Sequence, residues 1–227
     1  MRLRSVATIT RPVVEPVSLR DAKLHLRLVP EQEDDDQYIL GLIATGRALC
    51  ERRLGVALGL KQLRAVYDNE EPPIDWRLAA SFMPTLTIQS TQYRAALGIV
   101  EPYVVLPQAP LFVDGSHPLA VTVDDLSVSP VVHTAVDAAQ YYVDSDSQPS
   151  CVRFRNMPYV PARGTLTVTY WAGPAPGAMI APQLRSAILL LVGHLYAHRE
   201  AVTADRMEEM PLAVDTLLAS ESVTGRY

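Results

Sequence analysis

The chain has 227 residues, of which 48% are hydrophobic, and a formal net charge of −5 at pH 7. This composition is typical of a globular protein and excludes general disorder, and the length allows one large domain or two small ones. The acidic balance argues against a nucleic-acid-binding surface, which usually needs a basic face, but it allows DNA to pass close by without adhering.

No segment predicts export or membrane insertion. The N-terminal residues are positively charged but lack an apolar core before Pro12, so we expect no signal peptide. No apolar run approaches the roughly 18 residues that a membrane span requires, so we expect a soluble protein made in the cytoplasm. Cys50 and Cys151 fall in a helix pattern and a strand pattern and predict two unpaired thiols in a reducing compartment.

The chain opens with a pattern that predicts an arm followed by a capped helix. Residues 1–17 contain two prolines and read as an extended lead-in. The first helix begins at Ser18, where Asp21 three residues later completes a capping box, and it ends near Leu28, before a proline. The acidic run at 31–36 complements the dipole at the start of the next helix and predicts a solvated turn rather than a metal site.

A second helix is predicted from about Asp35 to Leu54, with one buried face. Gly46 lies on that face and predicts the close approach of another helix, whereas Arg47 and Glu51 are placed mostly off it. Gly55 stands where a left-handed C-cap is needed. The residues of the face that recur at three- and four-residue steps include Ile39, Leu42, Ile43 and Leu49.

From Leu60 the apolar period changes to two, which predicts β-strands. The clearest is 165–171, in which Leu166, Val168 and Tyr170 face one way and threonines lie between them. Short strands separated by turns predict an antiparallel sandwich or barrel. The other strand candidates are 60–67, 85–89, 103–106, 119–123, 140–143 and 151–155, with a hairpin turn signal at 114–115.

The segment 182–200 predicts a helix that is buried on more than one side. Its middle, 187–192, is apolar all round, whereas a lone surface helix needs only one apolar stripe. We therefore expect a buried hub covered by the opening helices, by the β insert or by another copy of the chain. The hub residues are Leu184, Ile188, Leu191 and Leu195. A short last helix at 212–219 and a free tail follow.

Together these patterns predict an α+β fold with a helical bundle core and an antiparallel β-sandwich or barrel-like insertion. The core consists of two N-terminal helices, one long buried helix in the C-terminal half and one short last helix. The predicted segments are 1–58 for the arm and N-terminal helices, 59–177 for the β insertion, 178–220 for the helices that complete the core and 221–227 for the tail.

The sequence contains few residues whose spacing resembles that of a catalytic or metal site. His194 and His198 share a helix face, but a leucine follows His194 where a zinc protease needs its glutamate, so we predict one packed histidine and one at the helix C-terminus. Asp144 and Asp146 predict a polar hairpin turn, not a calcium loop, since the loop glycine is missing. We therefore predict no catalytic residue, no metal and no cofactor, and a structural or binding protein rather than an enzyme.

Four segments taken in order form a recognisable set. They are 16–27; 34–55; 164–173; and 182–200, which ends Leu-Leu-Leu-Val-Gly-His-Leu-Tyr-Ala-His-Arg-Glu, with the trailing 210–218. In order and spacing, this set resembles the head–tail connector, or adaptor, proteins of long-tailed bacteriophages and related gene transfer agents. Each segment alone is only a helix or strand signature. Residues 69–101 depart from the family, because they exceed its usual link between strands.

The resemblance implies a virion structural protein of the neck, assembled in the host cytoplasm. Such proteins form a ring, usually a dodecamer, beneath the portal vertex. The ring extends the DNA channel, through which DNA passes without sequence-specific binding, and it offers a platform for the next connector, the stopper or a tail-completion protein. We expect the C-terminal stretch to dock on the portal by ordering on binding. Its residues are Val223, Thr224, Gly225, Arg226 and Tyr227.

Two other hypotheses stay open at the level of sequence. One is a tail-completion protein or another β-rich phage module that binds structural partners or carbohydrate, which predicts a trimer or sugar binding. The other is a metal-dependent hydrolase that uses His194 and His198, which predicts stoichiometric zinc in the purified protein.

Overall fold

The computed structural model describes residues 1–68, 101–147, 149–198 and 212–222. The fold is α+β, as the sequence predicts. The chain forms two compact units, which we call the sheet unit and the helical unit. The sheet unit comprises Met1–Thr10, Gln62–Pro107 and Val113–Trp171, and the helical unit comprises Arg11–Lys61, Gln108–Phe112 and Ala172–Tyr227. This division differs from the predicted segments, because residues 1–10 lie with the strands and residues 108–112 with the helices.

The helical unit is built around two long helices. Its elements are α1 (Leu19–His25), α2 (Asp36–Leu54), the short strand β4 (Leu111–Phe112), α3 (Pro182–Ala197) and α4 (Leu212–Ser222). Helices α2 and α3 pack against each other, and each also contacts α1 and α4. The apolar side chains at these contacts form the core of the unit.

The ends of the first two helices follow from their capping residues. The Ser18 side chain accepts a hydrogen bond from the backbone N–H of Asp21 at 3.1 Å and donates one to its carboxylate at 2.6 Å, so the predicted cap is present. Helix α1 ends at His25, earlier than predicted, because Arg27 takes up the left-handed conformation at φ 58°. Gly55 has φ 70° and ends α2 in the left-handed conformation that glycine favours.

The sheet unit contains a large and a small sheet, both antiparallel. The large sheet has six strands, of which β4 lies outside the main order. The other five follow the spatial order β1-β2-β9-β5-β6 and are β1 (Arg2–Thr10), β2 (Lys61–Asp68), β5 (Ala120–Asp125), β6 (Val132–Ala135) and β9 (Gly164–Ala172). The small sheet has the order β3-β8-β7, from β3 (Tyr103–Val105), β7 (Tyr141–Asp144) and β8 (Cys151–Phe154), with a 3-10 turn at Ala138–Gln140. The predicted strand at 85–89 lies outside the described residues.

Strand β9 is the buried centre of the large sheet. Leu166, Val168 and Tyr170 are almost fully buried, as their alternation predicts, but the intervening Thr165 and Thr167 are buried as well. Both faces of β9 are therefore covered, so the alternation of apolar and hydroxyl side chains does not mark an exposed face here. Threonine can be buried at low cost when its hydroxyl has a hydrogen-bond partner.

The prediction of an extended arm over residues 1–17 is wrong for its first part. Residues 2–10 form β1, which pairs antiparallel with β2 along nearly its whole length. Leu3, Val6 and Ile9 recur at steps of three rather than two, because the register shifts between Leu3 and Ser5 and again between Thr8 and Thr10. An extra residue in a strand breaks the alternation on which recognition of strands depends. In the described ranges, no helix is long and apolar enough to cross a membrane.

Candidate assembly surfaces

Helices α2 and α3 approach each other closely at Gly46. A Cβ placed on Gly46 would lie 3.4 Å from the backbone oxygen of Ile188 and 3.6 Å from Cβ of Leu191, so the glycine sits directly against the partner helix. This is the close approach that Gly46 predicts. A methyl group at this position would therefore meet both residues of α3 at ordinary van der Waals distances.

The structure brings the two predicted apolar faces together in one cluster. Leu184, Ile188 and Leu191 of the predicted hub are buried there with Ile39, Leu42 and Ile43 of α2. Leu195 and Leu49 are only partly buried and pack against the edge of the cluster. The run 187–192 is covered on most sides by the other three helices, but Leu190 remains 36% exposed.

A buried ionic network lies at the C-terminal end of α2. The Glu51 carboxylate accepts hydrogen bonds at 2.8 Å from Arg47, from Lys61 and from the backbone N–H of Leu58. Arg47 also donates to Glu15 at 2.7 Å. The prediction that Arg47 and Glu51 lie off the buried face is wrong, since both are more than nine-tenths buried. Their spacing of four residues is the signal that sequence reasoning missed.

A buried lysine organises the loop between α1 and α2. The ammonium group of Lys23 donates to the backbone oxygens of Pro30 at 3.0 Å and Gln32 at 2.7 Å and forms an ion pair with Asp36. The Tyr196 hydroxyl donates to the Asp35 carboxylate at 2.6 Å from α3. These contacts give part of the acidic run a structural role beyond the solvated turn that was predicted.

His194 and His198 do not assemble a metal site in the described structure. Their rings lie 4.4 Å apart, both side chains are exposed, and Nδ1 of His198 is 2.7 Å from the backbone oxygen of His194. The prediction that one of them is packed is wrong. Among the described residues, no group of three or more histidine, cysteine or acidic side chains could hold a metal ion.

The sheet unit holds its acidic side chains in local structural contacts. Asp124 is nearly buried and accepts hydrogen bonds from Thr167 at 2.6 Å and Thr122 at 3.3 Å, while Nδ1 of His133 lies 2.7 Å from it. Burial opposes the charge of Asp124, but the bonds to Thr167 and His133 outweigh it and hold the pKa of the carboxyl below its usual value. The arrangement ties β5 to both of its neighbouring strands, β6 and β9.

The predicted turn after β7 is present. The Asp144 carboxylate accepts hydrogen bonds from the backbone N–H of Ser147 at 3.0 Å and from Arg153 at 2.8 Å. These contacts close the hairpin to β8 in the way the polar sequence predicts. Cys50 and Cys151 are both free and buried, and burial together with the charge of Glu51 raises the pKa of the Cys50 thiol to about 11. This thiol is therefore protonated and unreactive at neutral pH.

The C-terminal residues predicted to dock on the portal, 223–227, lie outside the described residues. Helix α4 extends to Ser222, whereas the predicted tail includes residues 221 and 222. Of residues 69–101, which depart from the connector family in length, 69–100 also lie outside the described ranges.

Solved structures of gene transfer agent particles contain chains with a similar fold. No known protein family matches the chain, and no curated protein does either. A chain in the neck of an empty GTA particle, computed with C6 symmetry, matches with a TM-score of 0.66 at 18% identity over 96% of this chain and 94% of that one. A chain in the virion of a native gene transfer agent (GTA) particle matches over the same shares with a TM-score of 0.65 at 18% identity.

A third match is a chain in the neck of a native GTA particle computed with C12 symmetry, with a TM-score of 0.59 and 19% identity over 96% of this chain and 94% of that one. At these identities the likeness establishes a shared fold. The α+β architecture described above is therefore one that also occurs in the necks of gene transfer agent particles.

Proposed function

We propose that this chain is a virion structural protein of the neck, a head–tail connector that forms a ring beneath the portal vertex. The observation that carries the proposal is the extent of the likeness to chains of GTA necks, which spans 96% of this chain and 94% of theirs. Fold alone does not fix function, so the proposal needs its own test.

The assembly that we propose is a closed ring, most simply a dodecamer. The neck structures that contain the similar chains were computed with C6 and C12 symmetry. A cyclic ring is a heterologous assembly, in which one surface of each copy meets a different surface of the next. The ring extends the DNA channel, joins the capsid to the tail and carries the next connector, stopper or tail-completion protein.

The role that we propose involves no covalent chemistry. The polar groups that could suggest catalysis are engaged in contacts that hold the fold: Glu51 with Arg47 and Lys61, and Asp124 with Thr167 and His133. The net charge of −5 fits a channel through which DNA moves without sequence-specific binding. The proposed location is the virion neck, with assembly in the host cytoplasm.

We expect the ring to form on the portal, which sedimentation can test directly. The purified chain is run alone and then with its cognate portal protein. The proposal predicts a complex that adds about as many copies of this chain as the portal has subunits. A chain that sediments unchanged in the presence of assembled portal would contradict it, and a free trimer would favour the β-rich tail module instead.

The last five residues, 223–227, are the segment that we propose docks on the portal. Arginine and tyrosine are residue types that often anchor interfaces, and Arg226 and Tyr227 are the last two positions of the chain. Deleting 223–227 leaves α4 intact to Ser222 and is expected to weaken portal binding at least tenfold. The substitution Asp215→Asn, which removes an exposed ion pair with Arg53 outside this segment, serves as the matched control. Full portal binding by the truncated chain would refute the docking role.

A further inference from the structure

Within the described residues, both edges of the large sheet are open. The order β1-β2-β9-β5-β6 places β1 at one edge and β6 at the other. All four residues of β6 are exposed, as are the residues of β1 from Arg2 to Ile9. An edge strand presents unpaired backbone N–H and C=O groups, which a strand of another chain can bind.

The regular part of β1 matches β6 in length. Between its two irregularities, β1 is in unbroken register with β2 from Ser5 to Thr8, a stretch of four residues. Strand β6 also has four residues, Val132–Ala135. Bulges at an edge restrict which strands can pair with it, because they twist the flanking backbone away. The edge of β1 therefore admits a short partner strand and excludes a long one.

The segments that carry the two edges also differ in charge. Strand β1 carries Arg2 and Arg4 and no acidic residue. The hairpin that contains β6, residues 120–140, carries Asp124, Asp125 and Asp137 and neither lysine nor arginine. Of these aspartates, Asp125 and Asp137 are the less buried. Strand β6 itself carries no acidic residue, and Arg4 pairs with Asp68 of β2 at 3.4 Å, so this difference in charge lies between the two hairpins and favours the approach of unlike edges over like ones.

The faces of the sheet can be followed from one edge to the other. The Tyr67 hydroxyl of β2 donates to the backbone oxygen of Val105, and the Tyr170 hydroxyl of β9 donates to that of Pro107. Because these two acceptors are only two residues apart, both tyrosine side chains point to the same face of the sheet. By register, Val6 and Thr8 share that face at the β1 edge, and Thr134 shares it at the β6 edge. Ala7 and Ala135 consequently lie together on the opposite face, and both are small and exposed.

We propose that neighbouring copies in the ring are joined by addition of strand β1 of one copy to strand β6 of the next, so that their large sheets become continuous. The inference rests on the proposed function, because a ring needs two different surfaces that match and the opposite edges of one sheet supply them. The partner at each edge is a second copy of this chain. The contact consists of a short backbone ladder flanked by the exposed Val6 and Val132 side chains.

Disulfide trapping in the assembled ring tests this pairing. Adjacent strands lie about 4.8 Å apart, within the Cα separation that a disulfide spans. The double variant Ala7→Cys/Ala135→Cys is mixed with the portal, oxidised and run on a non-reducing gel. A second double variant, Ala7→Cys/His133→Cys, tests a pairing of β1 with β6 that is shifted by two residues. The single variants are matched controls, since one new cysteine cannot link two different edges, and Cys50 and Cys151 are buried.

The expected result is a series of covalent multimers beyond the dimer for at least one double variant, with the single variants remaining monomeric on the gel. Rings that are visible by electron microscopy but yield no multimers from either double variant overturn the edge pairing and leave the connector function standing. If the wild-type chain forms no ring on the portal, the proposed function fails and the edge pairing fails with it.

Discussion

Glu51 is a buried carboxylate whose three donors come from three separate places in the sequence. Arg47 lies one turn earlier in the same helix, Leu58 offers its backbone N–H from the following loop, and Lys61 begins β2. A buried charge is tolerated only when it is paired and hydrogen-bonded. The network therefore fixes the path of the chain as it leaves α2.

Removal of the Glu51 carboxylate should reduce the stability of the fold. We expect Glu51→Gln to lower the free energy of unfolding by about 3–5 kcal/mol, because it leaves Lys61 buried without a counter-charge and Arg47 with Glu15 as its remaining acidic partner. Urea denaturation of the purified chain measures the change. The control is Asp215→Asn, which removes the exposed pair with Arg53 and should cost less than about 1 kcal/mol. Equal effects of the two substitutions would show that the buried network stabilises the fold no more than an exposed ion pair does.

Asp124 also contributes to the stability of the fold, and the size of its contribution depends on pH. Because its pKa is lowered in the folded chain, the carboxylate stabilises the fold at pH values above its unfolded pKa of about 3.9, and this contribution is lost as the pH falls through the folded pKa. We expect Asp124→Asn to cost about 1–3 kcal/mol at pH 7 and less at pH 3. Thermal unfolding of both chains across this range measures the difference. A cost that stays constant with pH would contradict the assignment.

At the scale of elements, the helices were easier to predict than the strands. The cap at Ser18, the left-handed Gly55 and the three- and four-residue steps of α2 are local signals, and the structure contains all of them. Strand β9 was recognised from its alternation. Strand β1 was missed because its bulges break the period, and β6 was missed because none of its residues is buried and no apolar alternation marks it.

The candidate surfaces were harder to predict than the elements for a related reason. Apolar periodicity indicates which face of a helix is buried, and it identifies Ile188 and Ile39 as buried residues, which the structure brings together in one cluster. It carries no information on charged groups that are buried as a set, such as Lys23 with the backbone oxygens of Pro30 and Gln32. Those groups become compatible with burial only when the loop after α1 folds back over the lysine.

The contact of α2 with α3 yields a prediction at the scale of elements. We expect Gly46→Ala to leave the chain as stable as before or up to about 1 kcal/mol more stable, because the new methyl group meets its neighbours at ordinary contact distances and alanine favours the helix. Gly46→Leu should cost about 1–3 kcal/mol, since the larger side chain forces the two helices apart. Denaturant unfolding measures both, and a tolerated leucine would contradict the close approach.

At the scale of the whole molecule, the account depends on assembly. The fold matches chains of GTA necks over nearly their whole length, while the sheet edges and parts of the helical unit, among them Leu190, remain exposed in the single chain. Exposed strand edges are a liability for a monomer and a means of contact in an oligomer. We therefore interpret the isolated chain as one subunit of a larger particle.

Electron microscopy of the chain mixed with its cognate portal can decide whether the chain assembles into a ring. The account predicts a ring of this chain, coaxial with the portal and most simply of twelve copies, around an open channel. A portal that remains bare at saturating concentrations of the chain, or a chain bound as isolated subunits without contacts between copies, would contradict the account.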